Sequence, residues 1–169
     1  MEKPVFSKVC QISVVVDDIY AYMKRYNDDY GVGPWVILKF DNENTKNMVI
    51  RGKKQDFAIR LALCECLNVQ WELIQPLDDN GTYAEFLKKN GPGIHHVCLE
   101  PAEGYQKIRE FLATRGYPET LIGGLDAGGM EFAYVDITDD LGFVVELMNP
   151  PEGFVPPPPE GFYPDPGQG

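Results

Sequence analysis

The chain of 169 residues has 44% apolar and 12% aromatic residues, enough for one domain with a sizeable buried core. Its net charge of −11 argues against nucleic acid or an anionic membrane as a partner. The sequence has no run of 18 apolar residues, the length needed to span a bilayer. The N-terminus has no apolar segment typical of a signal peptide, so we expect a cytoplasmic protein with its four cysteines reduced.

The first half of the chain predicts a strand, a helix and then three strands. β-branched residues predict a strand over 9–16. Tyrosines and apolar residues at helical spacing predict a helix over 19–30, which Asp17 or Asp18 caps and Gly31 ends. Three further strands are predicted over residues 34–40, 56–66 and 69–74. Between the first two of these strands lies a stretch rich in lysine and arginine, which we interpret as a solvated hairpin.

The same order of elements then repeats. A linker with a short helix at 82–89 leads to a predicted strand at 94–99 and a helix at 103–115. Three strand-like pieces follow, near residues 119–122, 130–136 and 142–148. The glycine-dense segment 123–129 is expected to connect a hairpin rather than to form a mobile lid. The repeat predicts one domain over 1–150, made of modules 9–77 and 94–150 joined by a linker over 78–93.

A proline- and glycine-rich tail occupies residues 151–169. This composition cannot build a core, so we expect either extended polyproline-like chain or a segment that lies across a surface through Phe154, Phe162 and Tyr163. Such a tail would cover a site or bridge to a second subunit. A loosely ordered terminus is the alternative.

Polar residues recur at matching positions of the two modules. Gln11 and His96 lie in the opening strands, and Glu72 and Glu146 lie in the similar closing segments Glu-Leu-Ile-Gln-Pro and Glu-Leu-Met-Asn-Pro. Side chains alternate along a strand, so all four face the concave side of the sheet if their apolar neighbours lie under the helices. Buried carboxylates need a cation, so the four residues predict one divalent ion, with Zn, Ni, Co, Mn and Fe all suitable.

Other residues are candidates for substrate binding. Ser13 and Cys98 share the concave face with the four polar residues, and Arg60 and Tyr134 are expected to line the cavity. For His96 there is also a simpler interpretation, because a strand histidine is commonly just a hydrogen-bonded residue. Its neighbour His95 is expected on the helix side or at the rim of the barrel.

Several segments resemble the glyoxalase/methylmalonyl-CoA epimerase branch of the vicinal-oxygen-chelate superfamily. They are Gly93–Cys98 (GIHHVC), Trp71–Pro76 (WELIQP), Val145–Leu147 (VEL) and the strand before Asp17-Asp18. The resemblance covers residues 9–150 and implies an α+β fold in which two paired βαβββ modules form a half-open mixed β-barrel. It also implies a homodimer, and it places the family's four metal positions on Gln11, Glu72, His96 and Glu146.

The resemblance implies a reaction type. Enzymes of this branch chelate a carbonyl and a neighbouring oxygen on the metal, and a carboxylate removes the proton α to the carbonyl. We therefore expect an epimerase, isomerase or lyase for an α-carbonyl acid or thioester, either methylmalonyl-CoA epimerase-like or glyoxalase-like. Glu146 is the candidate base, with Asp56 or Glu72 as its counterpart on the opposite face of the substrate.

The chain departs from both enzymes at specific positions. Methylmalonyl-CoA epimerases usually carry histidine in place of Gln11, and their catalytic glutamate falls near Gln55, which cannot act as a base. Either Asp56 substitutes or the epimerase assignment fails. In the lactoylglutathione lyases, the residues that hold glutathione are arginines and an asparagine, and those positions are Val15, Pro76 and Pro92 here. A non-catalytic binding protein of the bleomycin-resistance type is the alternative function.

Overall fold

The computed structural model describes residues 5–126, 129–165 and 167, in which eleven strands and four helices occur. The strands are β1 (Phe6–Val15), β2 (Trp35–Phe40), β3 (Thr45–Ile50), β4 (Lys53–Lys54), β5 (Ile59–Cys66), β6 (Val69–Pro76), β7 (Gly93–Pro101), β8 (Glu119–Leu125), β9 (Glu131–Asp136), β10 (Val144–Asn149) and β11 (Gly161–Tyr163). The helices are α1 (Ile19–Tyr30), α2 (Gly81–Asn90), α3 (Tyr105–Thr114) and α4 (Thr138–Leu141). Within the described ranges, every helix is too short or too polar to cross a membrane.

One mixed sheet contains all of these strands, in the order β11-β2-β5-β6-β1-β7-β10-β9-β8-β3-β4. β2 and β3 lie near opposite ends of this order, yet only residues 41–44 separate them in the chain. The Thr45 amide donates to the Asp41 carbonyl oxygen across this turn at 3.0 Å. So short a turn can join the two ends of the sheet only if the sheet curls. The sheet is therefore curved and unclosed, and the predicted mixed α+β fold is confirmed.

The helices α1 and α3 cover the convex face. Ile19 and Met23 of α1 pack against Leu73, while Ile108 of α3 packs in a second cluster with Leu147. The Asp18 carboxylate caps α1 by accepting hydrogen bonds from the amides of residues 20 and 21, both at 3.1 Å. Alternate residues of the same strands thus lie under the helices, as the apolar pattern predicts.

A third cluster of apolar residues lies on the concave face. It includes Val15 of β1, Leu61 of β5, Ile74 of β6 and Tyr134 of β9. The linker helix α2 packs against β1, β6 and β7 and places Tyr83 in this cluster. Among the described residues, the inner face of the sheet is therefore mostly apolar away from the candidate site.

Some elements were not expected from the sequence. β3 belongs to the first module by sequence but pairs with β8 of the second, so the first module contributes a strand to the second. β3 also pairs with the exposed strand β4, which confirms the solvated basic hairpin. The segment 123–129 connects the antiparallel strands β8 and β9 as a hairpin, and its residues 127 and 128 lie outside the described residues.

The C-terminal tail follows the surface of the barrel. β11 extends the sheet by pairing with the edge strand β2, with Phe162 opposite Val36. The Glu160 carboxylate accepts two hydrogen bonds from the Arg60 guanidinium, at 2.7 and 3.0 Å. Between β10 and β11, Phe154 reaches the rim of the inner cavity. Of the three aromatic residues expected to lie on a surface, Phe154 and Tyr163 pack against apolar clusters, whereas Phe162 is 49% exposed.

Candidate metal centre and its cavity

Strand register places the polar residues on one face of the sheet. Ser13 of β1 stands opposite both Glu72 of β6 and His96 of β7. Cys98 of β7 stands opposite both Gln11 and Glu146. Residues that face each other in register point to the same side of a sheet. The alternation pattern therefore brings together the four residues that the sequence singles out.

Three of these side chains converge closely. Their potential ligand atoms, from Glu72, His96 and Glu146, all lie within 4.8 Å of one another. His96 Nε2 is 3.4 Å from Glu72 Oε2 and 3.4 Å from Glu146 Oε2. His96 is 0% exposed, and Gln11, Glu72 and Glu146 are 6%, 7% and 6% exposed. An imidazole nitrogen thus lies between two carboxylates in a region that water barely reaches.

Unpaired polar atoms show that this cluster fits a cation. Gln11 Oε1, His96 Nε2 and Glu146 Oε2 are buried and have no hydrogen-bond partner among the residues that the structure describes. Buried polar atoms are nearly always paired, so the orphaned atoms of His96 and Glu146, which lie in one cluster of potential ligands, favour a shared cation, and the residue with the third orphaned atom, Gln11, lines the same cavity. All three can act as ligands, and one nitrogen with several oxygens suits first-row divalent ions.

The electrostatic environment of His96 also favours a cation in this cluster. Burial lowers the pKa of His96, but the carboxylates of Glu146 and Glu72, each 3.4 Å from Nε2, raise it more, to about 9. The site therefore attracts positive charge to Nε2. A metal ion and a proton would compete for that nitrogen, so metal affinity should rise with pH.

His95 contacts the other nitrogen of His96. Their Nδ1 atoms are 2.9 Å apart, and a bulge in the pairing of β1 with β7 at this point lets both rings approach. Burial, together with the charge of His96, lowers the pKa of His95 to about 3, so His95 is neutral. In the deprotonated imidazole that a metal requires, acceptance by His95 Nδ1 places the remaining proton on His96 Nδ1 and leaves the lone pair on Nε2. A metal ligand requires this tautomer, and partners of this kind orient metal-binding histidines.

Hydroxyl groups hold one oxygen of each carboxylate. Tyr134 donates to Glu146 Oε1 at 2.8 Å, and Tyr83 donates to the Tyr134 oxygen at 2.8 Å. Ser13 donates to Glu72 Oε2 at 2.5 Å. Burial and the nearby Glu146 charge raise the pKa of both tyrosines, which keeps them protonated as donors. Glu146 is thus fixed through Oε1 while Oε2 remains available.

The cluster lies in the wall of a cavity of about 310 Å³. Gln11, Glu72, Tyr83, Tyr134 and Glu146 contribute to its polar part. Most of the remaining lining is aliphatic, aromatic or thioether, from β5, β9, β10 and the tail. This volume is within the range of small-molecule sites, so the cavity is the natural place for a substrate.

Two predicted site residues lie elsewhere. β5 begins only at Ile59, and in the preceding connection Phe57 points into the cavity while Asp56 is exposed. Arg60 is on the opposite face of β5 from Leu61, where it pairs with Glu160. The expectations that Asp56 acts beside the metal and that Arg60 lines the cavity therefore do not match the structure.

The other predicted residues lie at the centre. Tyr134 lines the cavity, as expected. Ser13 and Cys98 are on the concave face but fully buried, with the Ser13 hydroxyl directed at Glu72. Burial raises the pKa of the Cys98 thiol, which keeps it neutral.

Sequence reasoning missed two members of the site. Tyr83 comes from the linker helix, and its spacing with Phe86 and Leu87 is the only signal that this helix has an inward face. Gln70 accepts a hydrogen bond from the Gln11 amide nitrogen. It lies two residues before Glu72, so strand alternation alone would have placed it on the inner face.

A family model for the Glyoxalase/Bleomycin resistance protein/Dioxygenase superfamily matches residues 10–134. The chain belongs to this superfamily. The resemblance seen in its strand segments is thereby confirmed. The match includes β1, which carries Gln11, and β7, which carries His96.

Individual members of the superfamily are similar to this chain to different extents. The mitochondrial methylmalonyl-CoA epimerase of Dictyostelium discoideum is 40% identical over 47 residues, which is 27% of this chain and 28% of that protein. The chain thus matches little more than a quarter of that relative. The crystal structure of methylmalonyl-CoA epimerase from Mycobacterium tuberculosis has a TM-score of 0.64 at 21% identity and covers 89% of this chain and 93% of its own.

Two further solved structures are similar to this chain. A methylmalonyl-CoA epimerase in complex with methylmalonyl-CoA and NH4+ has a TM-score of 0.62 at 19% identity, covering 89% of this chain and 99% of its own. A hypothetical protein from Bacillus halodurans C-125 has a TM-score of 0.60 at 19% identity, covering 88% and 98%. At such identities the likeness establishes the superfamily's fold.

Proposed function

We propose that this protein is a metal-dependent enzyme that removes the proton α to a carbonyl group of an acid or thioester and returns it, as epimerases and isomerases do. The observation that carries the proposal is the set of orphaned buried atoms of Gln11, His96 and Glu146 beside a substrate-sized cavity. The similarity to methylmalonyl-CoA epimerases supports the same reaction type. A glyoxalase-like lyase would use the same proton transfer.

Four residues would hold the metal: Gln11, Glu72, His96 and Glu146. A divalent ion bound there would polarise the substrate carbonyl and so acidify the α-proton. An ordinary carboxylate is too weak a base to remove such a proton without help of this kind. The surrounding apolar wall excludes water and strengthens every charge interaction in the site.

Glu146 is the base in this proposal. Tyr134 holds its Oε1, and Oε2, which is among the atoms that would hold the metal, would have to leave it to accept the proton. Glu72 lies on β6, and in the sheet β1 and β7 separate β6 from β10, which carries Glu146. The two carboxylates therefore flank His96 from two sides. Since Asp56 is exposed, Glu72 is the candidate that returns the proton to the opposite face of the substrate.

Deuterium incorporation tests this proposal. Protein loaded with Co²⁺ is incubated in D₂O with a panel of α-oxo acids and methylmalonyl-CoA, and exchange of the protons on the carbon next to the ketone or thioester carbonyl is followed by NMR. We expect catalysed exchange with at least one compound and a loss of roughly a hundredfold or more in Glu146→Gln. Glu103→Gln, at an exposed position before α3, is the matched control and should behave as the unmodified protein. Equal rates for Glu146→Gln and the control would contradict the proposal.

One observation favours a second candidate, a non-catalytic binding protein of the bleomycin-resistance type. The carboxylates among the described lining residues are Glu72 and Glu146, and both belong to the metal cluster. A base independent of the metal is therefore missing from the described cavity wall. Tight binding of a ligand without any α-proton exchange would favour this candidate.

Three other expectations remain predictions. They are the homodimer, the cytoplasmic location and the division into modules 9–77 and 94–150.

A further inference from the structure

The chemistry of the cavity wall limits what the substrate can be. Ile59, Leu61 and Leu63 of β5 line one side, and Phe132 of β9 lies across from them. Three of the chain's five methionines, at positions 48, 130 and 148, also line the cavity. Methionine side chains are flexible and polarizable, and they adapt to apolar ligands of irregular shape. Away from the metal cluster, this wall therefore favours an apolar group.

The charges of the cavity lining also favour an uncharged group away from the metal cluster. The described residues that line the cavity include no lysine or arginine. A divalent ion would neutralise the two carboxylates of Glu72 and Glu146. One oxygen-containing head group could then bind at the metal, but a second anionic group on the substrate would be buried without a partner, which is costly.

The tail encloses the far side of the cavity. Phe154, Pro156 and Pro157 contribute to its lining, and the ion pair between Glu160 and Arg60 ties this segment to β5. The volume of about 310 Å³ equals that of roughly ten water molecules in the liquid. An apolar body of the order of ten atoms would therefore fill the enclosed space.

We infer that the substrate joins a metal-chelating carbonyl head to a bulky apolar body, aromatic or branched-alkyl, and carries no second anionic group in the cavity. This inference rests on the proposed function, because it takes the metal centre as the place where the head group binds. It separates this chain from an enzyme for methylmalonyl thioesters, whose acyl group has only a methyl group as its apolar body.

A pair of non-reacting chelators tests the inference without any turnover. Acetohydroxamic acid and 4-methylpentanohydroxamic acid carry the same metal-binding head and differ only in the body. Titration calorimetry with Co²⁺-loaded protein should give a dissociation constant at least about tenfold lower for the branched compound, since a few methylene groups contribute that much in an apolar pocket. Equal affinities, or tighter binding of the smaller compound, would overturn the inference.

A cavity-filling variant adds a second test. In Met148→Trp the larger side chain occupies part of the cavity, so the preference for the branched compound should disappear while acetohydroxamic acid still binds. Tyr30→Trp adds the same side chain at a site that is 73% exposed on α1 and should keep the preference. If Met148→Trp does not fold by circular dichroism, Met130→Phe is measured in its place. A preference that survives a folded cavity variant would overturn the inference.

Reaction measurements separate failure of this inference from failure of the proposed function. We expect faster α-proton exchange with 4-methyl-2-oxopentanoate than with pyruvate, by about tenfold or more in kcat/KM. Exchange that is faster with pyruvate or methylmalonyl-CoA would overturn the substrate class and leave the proposed function standing. A clear hydroxamate preference without exchange of any compound would support the substrate class and contradict the proposed function.

Discussion

Two buried tyrosines form a hydrogen-bonded chain that ends at Glu146, and a double-mutant cycle measures its strength. Tyr134→Phe removes a hydrogen bond of 2.8 Å to a carboxylate, and bonds to charged groups contribute about 1.5–3 kcal/mol. The same change leaves the Tyr83 hydroxyl without its acceptor in a position that is 3% exposed, which costs about 1–3 kcal/mol more. We expect Tyr134→Phe to lower the free energy of unfolding by about 3 kcal/mol or more.

Tyr83→Phe is the contrasting variant. It removes only a bond between two neutral hydroxyls, worth about 0.5–1.5 kcal/mol, and leaves the bond between Tyr134 and Glu146 in place. In the Tyr134→Phe background, however, Tyr83→Phe removes a hydroxyl that is already unpaired. Its cost there should be close to zero, so the two substitutions should couple by about 0.5–1.5 kcal/mol.

Urea denaturation of the metal-free protein and its three variants gives this coupling. The shift of the unfolding midpoint reports the change in stability, provided that the dependence on urea concentration stays the same. If the losses in unfolding free energy of the two single variants sum to the loss of the double variant within about 0.5 kcal/mol, the hydrogen-bonded chain is refuted.

Three further predictions concern residues around the site. His95→Phe removes the partner of His96 Nδ1 and should weaken Co²⁺ binding about 10- to 100-fold by calorimetry; unchanged affinity would contradict the role of His95 in selecting the tautomer. The hydrogen bond from Arg60 lowers the pKa of Glu160 below its usual 4.5, so this contact stabilises the fold above about pH 4.5 and is lost as the pH falls through the lowered value. The difference in melting temperature between the unmodified protein and Glu160→Gln should accordingly vanish at more acidic pH, whereas a difference that grows there would contradict this sign. Deletion of residues 151–169 should accelerate dissociation of 4-methylpentanohydroxamic acid, measured by stopped-flow displacement, because the tail encloses the cavity; an unchanged rate would show that the tail does not.

The inner face of the sheet was predictable because strand alternation is a local property. Gln11 alternates with apolar neighbours, and His96 occupies the matching position of the second module, next to the apolar Val97, so the pattern directs both inward. The same rule separates Arg60 from Ile59, Leu61 and Leu63, the residues of β5 that line the cavity. The expectation for Arg60 is wrong because this residue lies on the other face of the strand.

Other features depend on tertiary structure and leave little trace in the sequence. Asp56 was expected in a strand, but β5 begins later, and a residue in a connection has no alternation to fix its direction. The pairing of β3 with β8 joins segments from different modules, which a repeat within each module cannot reveal. The inward position of Tyr83 follows from the packing of α2 against the barrel.

Titration of metal-free protein with Co²⁺, followed by calorimetry and by visible absorption of the bound ion, tests the central claim most directly. We predict saturation at one ion per chain, with binding lost in His96→Gln and retained in the exposed control Glu103→Gln. Absence of stoichiometric binding, or binding that His96→Gln leaves unchanged, would contradict a metal centre formed by Gln11, Glu72, His96 and Glu146.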